Sequence, residues 1–142
     1  MNESKGSLLI VDDDIAVRSV VARKMESQGY KCMMASDGTE ALEKVATHNF
    51  DLVLLDMKMP GPSGMEVLPQ IVAGHPDVGV VMVTAVSDTE TAVEAMKLGA
   101  YDYVTKPFNL DVLSLRVNKA LERKRLVEEN KDFRLHHRRA FL

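Results

Sequence analysis

Five short apolar runs recur along the chain at regular intervals: Leu8–Val11, Tyr30–Ala35, Asp51–Leu55 (DLVLL), Gly79–Val83 (GVVMV) and Asp102–Thr105. Most are unbroken runs of Val, Leu and Ile rather than strict alternations. Such runs suit strands covered on both faces, not strands with one wet side. The stretches between them carry helical spacing. Ile15–Gln28 places Ile15, Val17, Val20, Val21 and Met25 at helical intervals and stops at Gly29. Asp37-Gly-Thr-Glu40 opens a second helix, running to about Thr47, with Asp37 as cap and Glu40 as the reciprocal acid. Pro60–Gly64 is a loop by composition, and Ser63-x-x-Glu66 opens a third helix ending near Gly74. Ser87-Asp-Thr-Glu90 opens a fourth, ending at Gly99, and Asn109 caps a long fifth. Pro69 falls well inside the third helix and predicts a bent or shortened element.

Strands that alternate with helices build a parallel sheet with right-handed crossovers. A closed eight-unit barrel needs about 250 residues, and this chain has 142. The expected fold is therefore α/β: a flavodoxin-like, doubly wound, five-stranded parallel sheet of order 2-1-3-4-5, with an extended C-terminal helix. The composition, 46% hydrophobic and 27% charged, excludes a disordered or low-complexity chain. One cysteine, Cys32, excludes an internal disulfide framework and a multi-cysteine metal site. It reads as a small buried hydrophobe. No apolar run approaches the roughly 20 residues that span a bilayer, and the polar start Met1–Ser7 is unlike a signal peptide. A soluble cytoplasmic protein without membrane contact is expected.

The polar residues that follow these strands carry the functional signal. Asp12, Asp13 and Asp14 follow the first strand, Asp56 the third, Thr84 the fourth, and Lys106 the fifth. In an open parallel sheet ligands sit outside the carboxyl ends of the strands, at the switch in strand order. Here that switch lies between the first and third strands. Asp14 suits the N-cap of the next helix. The remaining carboxylates would repel each other. Two unit charges about 4 Å apart interact by about 4 kcal/mol at an effective dielectric of about 20. Either one holds its proton to higher pH or a cation sits among them. Hard oxygen ligands point to Mg²⁺. A carboxylate beside Mg²⁺, a lysine and a threonine hydroxyl is a phosphoryl-transfer arrangement with the carboxylate as nucleophile. No Ser–His–Asp arrangement, Gly-rich phosphate loop or zinc spacing is present.

Four motifs occur in order: Val11-Asp12-Asp13, Leu55-Asp56-Met57-x-Met59-Pro60, Val83-Thr84-Ala85 and Val104-Thr105-Lys106-Pro107-Phe108. Over residues 8 to about 121 the chain thereby resembles the receiver domain of bacterial two-component response regulators. The resemblance implies a signalling switch that catalyses only its own phosphorylation and dephosphorylation. Asp56 would take a phosphoryl group from the phosphohistidine of a histidine kinase or a histidine phosphotransfer protein. Asp13 would bind Mg²⁺ directly, Asp12 directly or through water, and the backbone carbonyl of Lys58 would be a further ligand. The Lys58 side chain would tune dephosphorylation. Thr84 and Lys106 would bind the phosphoryl oxygens. Tyr103 matches an aromatic switch position that turns inward as the threonine moves toward phosphate, and Lys106–Pro107 matches a cis bond. The change would reach the face around Met96, Asp102 and the last helix. Two rivals remain at this point. One is a receiver-like docking module without phosphotransfer. The other is a flavin mononucleotide binder, which would want a Ser/Thr/Gly-rich phosphate loop where this chain has three aspartates.

The receiver is expected to span 1–121, with 122–142 as a helical extension. Residues 122–142 hold seven basic against four acidic side chains, net +3, which leaves −6 for the rest. A solvated basic helix face, without direct nucleic-acid contact by this domain, is the expected reading. The helical pattern from Leu110 to Leu135 covers 26 residues, about 39 Å of helix. Leu126, Asn130, Phe133 and His137 follow a short heptad echo. Leu121–Asn130 resembles linkers of sigma-54-dependent activators and of some regulators with phosphodiesterase outputs. A linker to an output domain is expected, with homodimerisation through it or through the last strand–helix face, and transcription regulation as the output. His136-His137 with Arg138-Arg139 is a weak metal or anion signal. His48 and His75 read as surface residues near helix ends, and the nine methionines as core filler.

Overall fold

The five apolar runs pair side by side as parallel strands. The computed structural model describes residues 5–85 and 89–140, with side chains described as far as Leu126. The order is β1 (Ser7–Val11), α1 (Ile15–Ser27), β2 (Lys31–Ala35), α2 (Gly38–Thr47), β3 (Leu52–Asp56), α3 (Gly64–Gly74), β4 (Gly79–Ala85), α4 (Thr89–Lys97), β5 (Asp102–Lys106) and α5 (Leu110–Ala140). The sheet order is β2-β1-β3-β4-β5, every pairing parallel. This is the expected doubly wound topology.

Strand periodicity sends alternate residues to opposite faces. Leu9, Val11, Val53, Leu55, Val80 and Met82 join one core, with Ala41 and Val45 of α2, Val67, Leu68 and Ile71 of α3, and Ala95 of α4. Leu8, Ile10, Leu52, Leu54, Val81 and Val104 join the other, with Val21, Ala22 and Met25 of α1 and Leu113, Val117 and Ala120 of α5. Two layers of helices thus cover the two faces of the sheet.

Several expectations need correction. Strand pairing continues into the polar residues, because the neighbouring backbones keep offering partners: Asp56 pairs with Val83 and Lys106 with Ala85. Asp56, Thr84 and Lys106 therefore lie within the ends of strands rather than after them. Ile15 and Val20 are 69% and 48% exposed, because the apolar arc of α1 is wider than the sheet face it covers. Pro69 does not shorten α3, which runs through it to Gly74. Buried Val67, Leu68 and Ile71 pin that helix from one side, and the Ser63–Glu66 capping box closes its start. Asp37 caps α2 by accepting from Glu40 N at 2.8 Å. Glu40 does not return the bond; it takes Ser36 Oγ at 3.0 Å and Lys44 at 3.2 Å instead. Cys32 is only half-buried, because β2 is an edge strand. His48 and His75 stand at the C-caps of α2 and α3. Ser87 and Asp88 of the proposed fourth cap, the side chains of Asn130, Phe133 and His137, and the His136–Arg139 cluster lie outside the described residues.

Polar contacts hold α5 from its first turn as far as Lys124. Asp111 pairs with Lys24 at 2.8 Å, and Arg116 with Asp102 at 3.1 Å. The Arg123 guanidinium lies 4.7 Å over the Tyr101 ring and donates to the Tyr101 carbonyl at 3.2 Å. Lys124 reaches Asp51 at 3.4 Å. Among the described residues no helix is long and apolar enough to cross a membrane.

Candidate functional site

Asp12 leaves the end of β1, Asp56 closes β3, and the two strands are neighbours. Lys106, at the end of β5, reaches across both. Its Nζ lies 2.8 Å from Asp12 Oδ2 and 3.2 Å from Asp56 Oδ2. Asp13 completes the cluster: one carboxylate oxygen from each of Asp12, Asp13 and Asp56 lies within 4.8 Å of the others. Asp12 and Asp56 are buried and Asp13 is exposed. The cluster is thus a shallow acidic pocket with a wet side.

Backbone donors hold the two buried carboxylates in place. Asp14 N donates to Asp12 Oδ1 at 2.9 Å, and Lys58 N donates to Asp56 Oδ1 at 3.4 Å. Asp14 caps α1 as expected, accepting from Ala16 N at 2.9 Å. The start of α3 presses against the backbone of Asp56. A Cβ on Gly64 would come within 2.4 Å of the Asp56 carbonyl oxygen and 2.8 Å of Met57 Cα.

The electrostatics are unbalanced. Burial and the charge of Asp12 push the Asp56 carboxyl above the usual carboxylate range, and Lys106 pulls it back only in part. Burial also works against the charged form of Lys106. Its hydrogen bond to Asp12 and the charges of Asp56 and Asp12 outweigh that, and its pKa stands above the ordinary lysine value. One ammonium therefore contacts two of the three clustered carboxylates, Asp12 and Asp56. The three carboxylates converge with oxygen donors alone, a donor set that fits Mg²⁺.

Thr84 lies near the end of β4 beside Asp56 and is buried. Its Oγ1 has no hydrogen-bond partner among the described residues. A buried hydroxyl in that state can still donate to an acceptor brought to the site. Tyr103 is half-buried in β5 and packs partly against the first core. Lys58 is exposed beside the pocket. The Lys106–Pro107 bond is cis, as the motif implied. The structure thus brings Asp12, Asp13, Asp56, Thr84 and Lys106 to one edge, with Lys58 and Tyr103 at its margin. It adds Arg18, whose Nη1 donates to the Asp12 carbonyl at 2.7 Å. Sequence reading missed Arg18, since a cation one turn into a helix gives no signal that its partner is a backbone oxygen.

Residues 8–118 match the response regulator receiver domain. The chain is 41% identical over 128 residues to the transcriptional regulatory protein ZraR of Klebsiella oxytoca, covering 90% of this chain and 29% of that one. It is 38% identical over 117 residues to the DNA-binding transcriptional regulator NtrC of Escherichia coli K12, covering 82% and 25%. A crystal structure of NtrX from Brucella abortus superposes with a TM-score of 0.87 at 36% identity, covering 91% of this chain and 30% of that one. The receiver domain of NtrX from the same organism superposes with a TM-score of 0.78 at 37% identity, covering 81% and 98%. The chain thus spans under a third of the length of these curated relatives. Phosphorylation on an aspartate is the general function of receivers, and the flavin alternative falls away. With this strand order and this acidic edge, the chain belongs to the response regulator receiver domain family.

Proposed function

We propose that Asp56 is the phosphoryl acceptor of this receiver and that Asp12, Asp13 and Asp56, with the Lys58 carbonyl, hold Mg²⁺ beside it. The observation that carries this reading is Lys106, whose single ammonium bridges Asp12 and Asp56 while the Thr84 hydroxyl stands buried beside them without a partner among the described residues. An Asp56 carboxylate oxygen attacks the phosphorus of a phosphohistidine on a histidine kinase or phosphotransfer protein. The O–P bond forms as the P–N bond breaks. The imidazole leaves with the electron pair and takes up a proton, and Asp56 carries the phosphoryl group as a mixed anhydride. Mg²⁺, when bound, supplies positive charge against the phosphoryl oxygens. Lys106 passes its contact from the Asp56 carboxylate to one phosphoryl oxygen, and Thr84 Oγ1 donates to another.

That new bond draws Thr84 toward the phosphoryl group and leaves room for the Tyr103 ring to turn inward. The face around Met96, Asp102 and α5 then differs between the two states. Phosphate must favour one conformation over the other for any switching to follow. The receiver body spans 1–121. Residues 122–142 form an extension whose first turn is tied back by Arg123 and Lys124. It leads toward a transcription-regulating output, as the names of ZraR and NtrC suggest, in a bacterial cytoplasm. Dimerisation runs through the β5–α5 face or α5 itself, and this domain makes no nucleic-acid contact.

Intact mass after incubation with a small-molecule phosphodonor tests the reading, with and without Mg²⁺, on the wild type and Asp56→Asn. One phosphoryl adduct that needs Mg²⁺ and is absent from Asp56→Asn is expected. An adduct that persists in Asp56→Asn, or forms equally without metal, would overturn it.

A further inference from the structure

Asp12 is held at every polar atom. Its amide donates to the Ala35 carbonyl at 3.2 Å. Oδ1 accepts from Asp14 N at 2.9 Å, and Oδ2 takes the Lys106 ammonium at 2.8 Å. Its carbonyl oxygen is a different case. The strand ladder of β1 ends at Val11, which pairs with Ala35 on one side and Leu55 on the other. Past that point no backbone amide among the described residues donates to the Asp12 carbonyl. Asp12 is 3% exposed, and an acceptor that deep without a donor is costly.

Arg18 fills the gap. Its Nη1 lies 2.7 Å from Asp12 O, a short, charge-assisted bond. The same residue donates its backbone amide to Asp14 O at 3.0 Å. One residue on the first turns of α1 therefore grips both ends of the 12–14 loop, through side chain and backbone. Arginine suits this position because its guanidinium stays charged and presents rigid donors on a long arm.

We infer that Arg18 is a positioning residue for the acidic site: it fixes the Asp12 backbone so that the carboxylate faces Lys106 and Asp56, and thereby sets how tightly Mg²⁺ binds. This rests on the reading that Asp12, Asp13 and Asp56 hold the metal. Groups that orient metal ligands typically change affinity by about 10- to 100-fold when removed. Arg18→Met keeps most of the length of the arm and deletes its donors and charge. Arg18→Lys keeps the charge on a shorter arm with a single donor group.

The experiment is a Mg²⁺ titration of the full chain by calorimetry, together with thermal unfolding with and without saturating Mg²⁺. Arg18→Met is expected to bind Mg²⁺ about tenfold more weakly than the wild type, with Arg18→Lys between the two. A residue that only supported the fold would lower both unfolding midpoints together and leave the Mg²⁺-induced increment unchanged. A positioning residue shrinks the increment itself. An Arg18→Met protein with the wild-type dissociation constant overturns the assignment. Should Arg18→Met fail to fold, Arg18→Lys decides, and a wild-type constant there overturns it equally. A wild type that binds no Mg²⁺ instead sinks the metal reading beneath it, a result distinct from wild-type binding with unaltered variants.

Discussion

Asp56 is where burial, repulsion and attraction meet on one carboxyl. Burial and Asp12 hold its proton on to higher pH than in the unfolded chain, against Lys106. Without metal, the folded state therefore loses stability as pH rises through the folded value of Asp56, and below the ordinary carboxylate value the loss is absent. Asp56→Asn should raise the metal-free unfolding midpoint by a few degrees at neutral pH, with the advantage vanishing in acid. Midpoints measured from about pH 3 to 8 without Mg²⁺ check this, and a variant no more stable than the wild type at neutral pH contradicts it. Cys32 gives a second test on a single side chain. Burial, with the charge of Glu26, pushes its thiol up to about 11. Alkylation by iodoacetamide at about pH 8 should run roughly two orders of magnitude slower than for a free cysteine peptide, followed by mass. Asp12, Asp13, Asp56, Thr84 and Lys106 were legible in the sequence, because each puts a polar group where an apolar strand ends. Arg18 and the half-burial of Cys32 were not. The first depends on a backbone oxygen, the second on β2 lying at the sheet edge.

Elements set how accurately those residues meet. The start of α3 rests on the backbone behind Asp56, and Gly64 N donates to the Met57 carbonyl at 2.9 Å. The Cβ of Gly64→Ala would press on backbone atoms, which cannot swing aside as a side chain does. The expected cost is about 1–3 kcal/mol, with slower phosphorylation from a small donor because Asp56 is displaced. Denaturant unfolding and adduct formation by mass measure the two effects, and an unchanged phosphorylation rate would free Asp56 from any dependence on α3. The third helix shows how propensity yields to context: Pro69 stays inside it because the cap and the buried face outweigh one missing hydrogen bond. The apolar spacing of α1 marked a helix correctly, but only packing decided that Ile15 and Val20 face outward.

Across the molecule, contacts past Leu121 bind the helical extension to the body. Arg123 on Tyr101 holds it to the residue before β5, and Lys124 on Asp51 holds it to the residue before β3. A chain ending at Leu121 should lose about 1 kcal/mol, or a few degrees, relative to one ending at Arg125, which keeps both contacts. Calorimetry of the two truncations measures this, and equal midpoints would show that these contacts anchor nothing. The element order, the parallel sheet and the five polar positions at its carboxyl edge were all present in the linear pattern of residues. They follow from local periodicity and from the topology rules that short crossovers obey. Three facts came only from folding: one lysine bridges two aspartates, a buried threonine hydroxyl has no partner among the described residues, and an arginine on α1 grips the Asp12 carbonyl. Those facts arise from distances between residues far apart in the chain or from orphaned backbone groups, and hydrophobic spacing carries no information about either.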